Sequence, residues 1–281
     1  MSFPSFASVF KGLLLLALAA PAQAELMLHP TRIVFEKNQR AAQIDLINNG
    51  AKPTTYRISL VNRRMTETGQ FEAADAAGPD ERFADGMLRF SPRQVTLEPG
   101  TAQTVRVMLR KPAELADGEY RSHLQFEKLP DVEGSASIEN QGQGQAADGK
   151  GIGVVLNALV GASVPVIVRQ GVTSANVSLA QLALKKDELQ HQVLALQFVR
   201  EGSSSVYGDL SVTFTPRGGR PQTLAQIGGI AVYTPNRVRQ AALPLEVPKG
   251  LELAHGMLEV SYRDRPEAGG KLLAQANLEL P

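Results

Sequence analysis

Residues able to do acid–base, nucleophilic or metal chemistry are few in this 281-residue chain, and none has the spacing such chemistry uses. The four histidines, His29, His123, His191 and His255, stand singly. None has the H-x-x-x-H or H-E-x-x-H spacing that puts two imidazoles on one face of a helix. There is no cysteine, which excludes thiolate nucleophiles. No G-x-S-x-G elbow is present, and the carboxylates are scattered over turns and strand faces. Gly144, Gly149 and Lys150 fit G-x-x-x-x-G-K, but Gly151 stands where a hydroxyl must hold magnesium. Gly142 and Gly144 open a G-x-G-x-x-A match with neither a strand before it nor a helix after it. The expectation is a protein that is not an enzyme, with no cofactor and no metal.

Short alternating runs separated by Gly, Pro and Asn clusters dominate the chain, which is the signature of a β-sandwich. Ala42 to Ile47 puts Ile44 and Leu46 on one face, and Asn48-Asn49-Gly50 supplies a turn. Tyr56, Ile58 and Leu60 alternate in the run Thr54 to Val61, as do Val105, Val107 and Leu109 in Thr104 to Arg110. Leu26 to Phe35 and Tyr120 to Lys128 are further strands, and Thr66 to Gly86 is expected as a long polar loop. Leu129 to Gly151, rich in Gly, Gln, Ala and Asp, is expected to be a mobile loop. Past Arg169-Gln170-Gly171 seven more runs follow, from Val177 to Leu280. The predicted fold is all-β, with two immunoglobulin-like sandwiches over residues 25–169 and 170–281.

Residues 1–24 are set apart. Lys11, the apolar run Gly12 to Ala20 and Pro21-Ala22-Gln23-Ala24 follow the layout of a secretory signal, too short to span a bilayer. Without Lys11 the 29 basic residues become 28, equal to the 28 acidic ones. Such a balance gives no broad field for nucleic acid or an anionic membrane. An exported chain without disulfides has to rely on its core.

The most informative apolar stretch is Gly151 to Val168. Val154, Leu156, Ala158 and Val160 share one strand face at period two, while Val155 and Leu159 make the other face apolar as well. Two readings fit: a central strand buried on both faces, or an edge strand whose apolar row is offered to a partner.

The run Leu28-His29-Pro30-Thr31-Arg32-Ile33-Val34-Phe35 resembles the first strand of PapD-like periplasmic pilus chaperones, with its T-R-x-V-F pattern. Ile44 to Asn49 resembles their second strand. Ser91-Pro92, Leu97-Glu98-Pro99-Gly100 and Val105-Arg106-Val107 are similar to their P-x-x-x-x-L-x-P-G segment and the strand after it. The resemblance covers Leu26 to Arg169. It implies a periplasmic chaperone that binds pilin-like subunits by lending them a strand and passes them to an outer-membrane usher, without entering a membrane. By resemblance Arg32 and Arg169 line the cleft that receives the subunit's C-terminus, and Val154, Leu156, Ala158 and Val160 form the donated row. The same row would let two copies pair with each other. The family pattern also places a lysine at Pro165 and an acidic partner for Arg169 at Arg121, and this chain has neither. The alternative reading is a structural or adhesive sandwich subunit of a surface fibre.

Overall fold

The computed structural model describes residues 25–130 and 161–281. The signal-like segment, most of the glycine-rich loop and the row Val154, Leu156, Ala158 and Val160 lie outside the described residues.

The first sandwich contains β1 (Leu26–His29), β2 (Ile33–Phe35), β3 (Ala41–Asn48), β4 (Thr54–Val61), β5 (Arg63–Met65), β6 (Phe71–Ala73), β7 (Leu88–Ser91), β8 (Gln94–Leu97), β9 (Ala102–Leu109), β10 (Gly118–Lys128) and β11 (Gly161–Gln170). One sheet runs β1-β3-β9-β7 and the facing sheet β2-β11-β10-β4-β8. Period-two alternation builds the core: Ile44 and Leu46 of β3, Val105 and Val107 of β9, Leu124 and Phe126 of β10, and Val164, Val166 and Val168 of β11 are all buried. The Asn48-Asn49-Gly50 turn forms as expected. The buried Asn48 amide donates to the Lys52 and Leu97 carbonyls at 2.8 and 2.9 Å, and its Oδ1 accepts the Gly50 N–H at 2.9 Å.

Two details differ from the sequence reading. The run Leu26 to Phe35 is two strands, because the chain crosses between the sheets at Pro30 to Arg32: β1 pairs antiparallel with β3, and β2 pairs parallel with β11. The loop expected at Thr66 to Gly86 contains β6, which forms a hairpin with β5. The Thr66–Gln70 turn of that hairpin holds Gly69 at φ +83, a region glycine enters without a Cβ clash.

The second sandwich contains β12 (Ala175–Lys186), β13 (Gln192–Gly202), β14 (Val206–Pro216), β15 (Gln222–Val232), β16 (Val238–Pro244), β17 (Gly256–Asp264) and β18 (Leu272–Leu280). The sheets are β12-β13-β16 and β15-β14-β17-β18. Leu194, Leu196 and Phe198 face Leu210, Val212, Phe214, Leu258, Val260 and Tyr262 across the core. Each such side chain contributes roughly 1.5–3 kcal/mol when fully buried. Phe198 meets Tyr262 edge-to-face at 5.1 Å, and the Tyr262 hydroxyl donates to the Ile230 carbonyl at 2.7 Å, so the buried phenol is satisfied. The fold is all-β with two immunoglobulin-like sandwiches.

Candidate functional site

The site begins with β11. On one side it pairs with β10 along its full described length, from Gly161 opposite Glu127 to Gln170 opposite Gly118. On the other side β2 pairs only with Val166, Ile167 and Val168. Gly161 to Pro165 therefore form an edge with no ladder partner on that side among the described residues. Even-numbered side chains of β11 point into the first core. Odd-numbered Ile167 and Arg169 point toward the second sandwich.

The odd face of β10, Glu119-Arg121-His123-Gln125, reads as polar and solvent-facing, yet Glu119, Arg121 and His123 are buried there. The residue opposite Arg169 is Glu119, not Arg121, which pairs with Ile167. The acidic partner that the sequence reading missed at Arg121 is thus present two residues earlier. The Glu119 carboxylate accepts from Arg169 Nε at 3.1 Å, from the Ser205 N–H at 3.0 Å and from the Ser205 hydroxyl, with Thr234 Oγ1 at 3.4 Å. Arg169 also meets Glu36 at 2.5 Å and donates to the Ser205 carbonyl at 3.3 Å. One buried carboxylate and one arginine of the first sandwich therefore grip the start of β14 in the second.

Arg32 lies in the crossing between β1 and β2, on the wall of a cleft of about 770 Å³ between the sandwiches that Arg169, Tyr207 and Arg265 also line. Its guanidinium stands 4.7 Å from the Tyr207 ring centroid and 5.5 Å from that of Tyr233. Its Nη1 is buried and has no hydrogen-bond acceptor among the described residues. A charged donor left unpaired and out of water is costly, and the two tyrosine rings offset part of that cost. Arg121 lies on the other strand, 4.4 Å from the Tyr233 ring, donating to the carbonyls of Arg63 and Thr234 at 3.2 Å each. Burial pushes its guanidinium below the ordinary arginine value against the opposing pull of Tyr233 and Glu119, and Arg32 pushes the same way as burial.

The β5–β6 hairpin extends across to the second sandwich. Met65 packs with Ile167, Ala231 and Tyr233, and its carbonyl accepts from the Asn236 amide at 2.8 Å. The Glu67 carbonyl accepts the Gln240 N–H at 2.6 Å, on the edge of the β12-β13-β16 sheet. Phe71 touches Tyr233 at 5.9 Å and covers His123 edge-to-face at 5.1 Å. Neither ring nitrogen of His123 has a partner among the described residues, and burial, then Arg121 and Arg63, push its pKa down to about 3.

Of the residues expected to act, Arg32 and Arg169 come together in the cleft. The expected donor row lies outside the described residues. Sequence reasoning missed Glu119, Ser205, Tyr207 and Tyr233. Only the period-two register of β10 against β11 reveals Glu119, and the long stretch of sequence between these strands hides that register.

The geometry defines a two-domain, all-β, immunoglobulin-like protein with an interdomain cleft lined by Arg32, Arg169 and Arg265 and by Glu36, Asp264 and Glu267, and with a strand edge unpaired among the described residues. Residues 25–148 match the family of the pili and flagellar-assembly chaperone, PapD N-terminal domain. Among solved structures the chain is similar to the YadV chaperone, with 12% identity over 92% of this chain and 100% of that one and a TM-score of 0.44. It is also similar to the CsuC–CsuE chaperone–tip adhesion subunit pre-assembly complex of Acinetobacter baumannii (12% identity, 92% and 98% covered, TM-score 0.43). A third is the Salmonella enterica SafA pilin in complex with the SafB chaperone (13% identity, 93% and 99% covered, TM-score 0.41). No curated protein sequence matches the chain. The family match lies in the first sandwich, where residues 25–148 resemble the PapD-like pilus chaperones as a divergent relative. The family's role is that of a pilus-assembly chaperone rather than an enzyme.

Proposed function

We propose that this protein acts in the periplasm, holding pilin-like subunits by lending them the strand that leads into β11 and delivering them to an outer-membrane usher. The observation that carries this reading is the β11 edge from Gly161 to Pro165, paired on one side only among the described residues, near a cleft whose wall carries Arg32. A subunit strand laid along it would gain main-chain hydrogen bonds and a row of alternate side chains. Val164, Val166 and Val168 face the core, and half-buried Ala162 shares their parity. If the strand continues upstream at the same period, Val154, Leu156, Ala158 and Val160 extend that row into a client. Binding then draws on backbone pairing and apolar burial and needs no nucleotide. Arg32 supplies the charged end of the site, its guanidinium on the cleft wall taking the client's terminal carboxylate. Arg169, engaged by Glu119 and Glu36, holds the two sandwiches at the angle that keeps the cleft open.

The test is Leu156→Asp, which places a charge in the partner's apolar groove. The variant is expected to keep the wild-type circular dichroism spectrum and to lose co-purification of pilin-sized partners from periplasm. Unfolding of the variant would instead show that this segment is a central strand of the first core.

A further inference from the structure

We propose that the first domain carries a second anion site, in the pocket behind the β2–β3 turn, that binds a multivalent phosphate group. This pocket, of about 330 Å³, is lined by Lys37, Arg40, Arg110 and Lys111, with the amides of Asn38 and Gln170. No carboxylate among the described residues lines it. Glu36, the nearest in sequence, is drawn away to Arg169 at 2.5 Å. Lys111 is partly engaged, donating to the Arg169 carbonyl and to Gln170 Oε1 at 2.9 and 3.0 Å. Lys37, Arg40 and Arg110 have no ion-pair partner among the described residues. Lys37 sits at φ +52 in the turn closed by the Gln39 N–H to the Glu36 carbonyl, where glycine or asparagine would be easier.

Four cations around one small concavity repel one another, and an oxyanion relieves that repulsion. The chain's near-neutral balance makes the cluster a local feature rather than part of a basic surface. One carboxylate answers one cation. A phosphate group offers several oxygens and more than one charge, and it matches the planar forks of Arg40 and Arg110 while a lysine acts as a point charge. This site does not depend on how the interdomain cleft works.

The probe is inorganic pyrophosphate, titrated calorimetrically into the full mature protein at low ionic strength. Saturable binding that weakens with added salt is expected. The combined variant Lys37→Gln, Arg40→Gln, Arg110→Gln should lose about tenfold or more in affinity with an unchanged circular dichroism spectrum, since all three side chains are exposed. A charge-matched control, Lys185→Gln, Lys186→Gln, Lys271→Gln, should bind as the wild type does. A second arm sediments the protein with phosphatidylcholine vesicles, with or without phosphatidylglycerol. Sedimentation that needs phosphatidylglycerol and is lost in the pocket variant places the phosphate on a lipid; pyrophosphate binding without sedimentation places it on a soluble molecule. The proposal is overturned by absence of saturable pyrophosphate binding, by equal loss in the control variant, or by binding of polyglutamate in place of pyrophosphate.

Discussion

His123 lies buried against Phe71 of the β5–β6 hairpin, so protonation of this one ring should report on the strap that joins the two sandwiches. His123 is 1% exposed, has no hydrogen-bond partner on either nitrogen, and lies near the charged Arg121 and Arg63. Its pKa is about 3 in the folded protein against about 6.5 in an unfolded chain. Between these values the unfolded state binds a proton that the native state refuses. Stability from this residue is therefore complete above pH ~6.5 and is lost as the pH falls, by about 1.4 kcal/mol per pH unit. At pH 4.5 the loss from His123 alone is about 2–3 kcal/mol.

His123→Phe keeps a ring against Phe71 and removes both orphan nitrogens. At pH 7 it should be neutral or stabilising by up to about 1 kcal/mol, and the larger ring costs less than about 1.5 kcal/mol if it crowds the site. His123→Leu serves as a smaller second variant. Urea unfolding followed by circular dichroism at pH 7, 6, 5.5, 5 and 4.5 gives the comparison. The carboxylates, including Glu81, titrate in all three proteins and cancel in the difference. The wild-type curve should fall away from both variants below pH 6.5 and reach a gap of about 2–3 kcal/mol at pH 4.5. Parallel curves would refute the reasoning, because they would mean that His123 takes up its proton without opening the native structure.

Two further outcomes follow from the cleft. Glu119→Gln keeps the shape of the buried side chain but strips the charge that Arg169 and Ser205 meet; it should cost about 2–3 kcal/mol in urea unfolding and speed proteolysis between residues 170 and 175. Arg32→Ala should weaken capture of a subunit about tenfold to a hundredfold in a pull-down titration, with Arg32→Lys between the two. Amidating the subunit's C-terminus should add little to the Arg32→Ala loss, and full additivity would show that Arg32 acts elsewhere.

Where one strand face is apolar and the other polar, the sequence was transparent. Ile44 and Leu46, Val105 and Val107, and Leu194, Leu196 and Phe198 all alternate, and all are core. All seven runs expected in the second sandwich are strands. What stayed hidden is the face of β10 that carries Glu119, Arg121 and His123. Alternation reads such residues as solvated, and only the docking of the second sandwich and the β5–β6 hairpin turns them inward. Polar residues buried by tertiary contact leave no periodic mark. The hairpin itself escaped because β5 and β6 are three residues each and polar around their turn.

The departures at Pro165 and Arg121 belong together once the register is known. Pro165 faces His123 across the β10–β11 ladder, and Arg121 is the next residue along the same face of β10. The cation absent from β11 at position 165 has a counterpart one strand over, but Arg121 is buried, tied to the Arg63 and Thr234 carbonyls, and held over Tyr233. The same Tyr233 ring lies 5.5 Å from Arg32. Arg121 thus spends its charge on the joint between the sandwiches and steadies the aromatic floor on which Arg32 rests. Arg32 is left as the guanidinium on the open wall of the cleft with a buried, unanswered N–H. On the function proposed above, a client carboxylate would be held through a single arginine flanked by two tyrosine rings, rather than between two free cations.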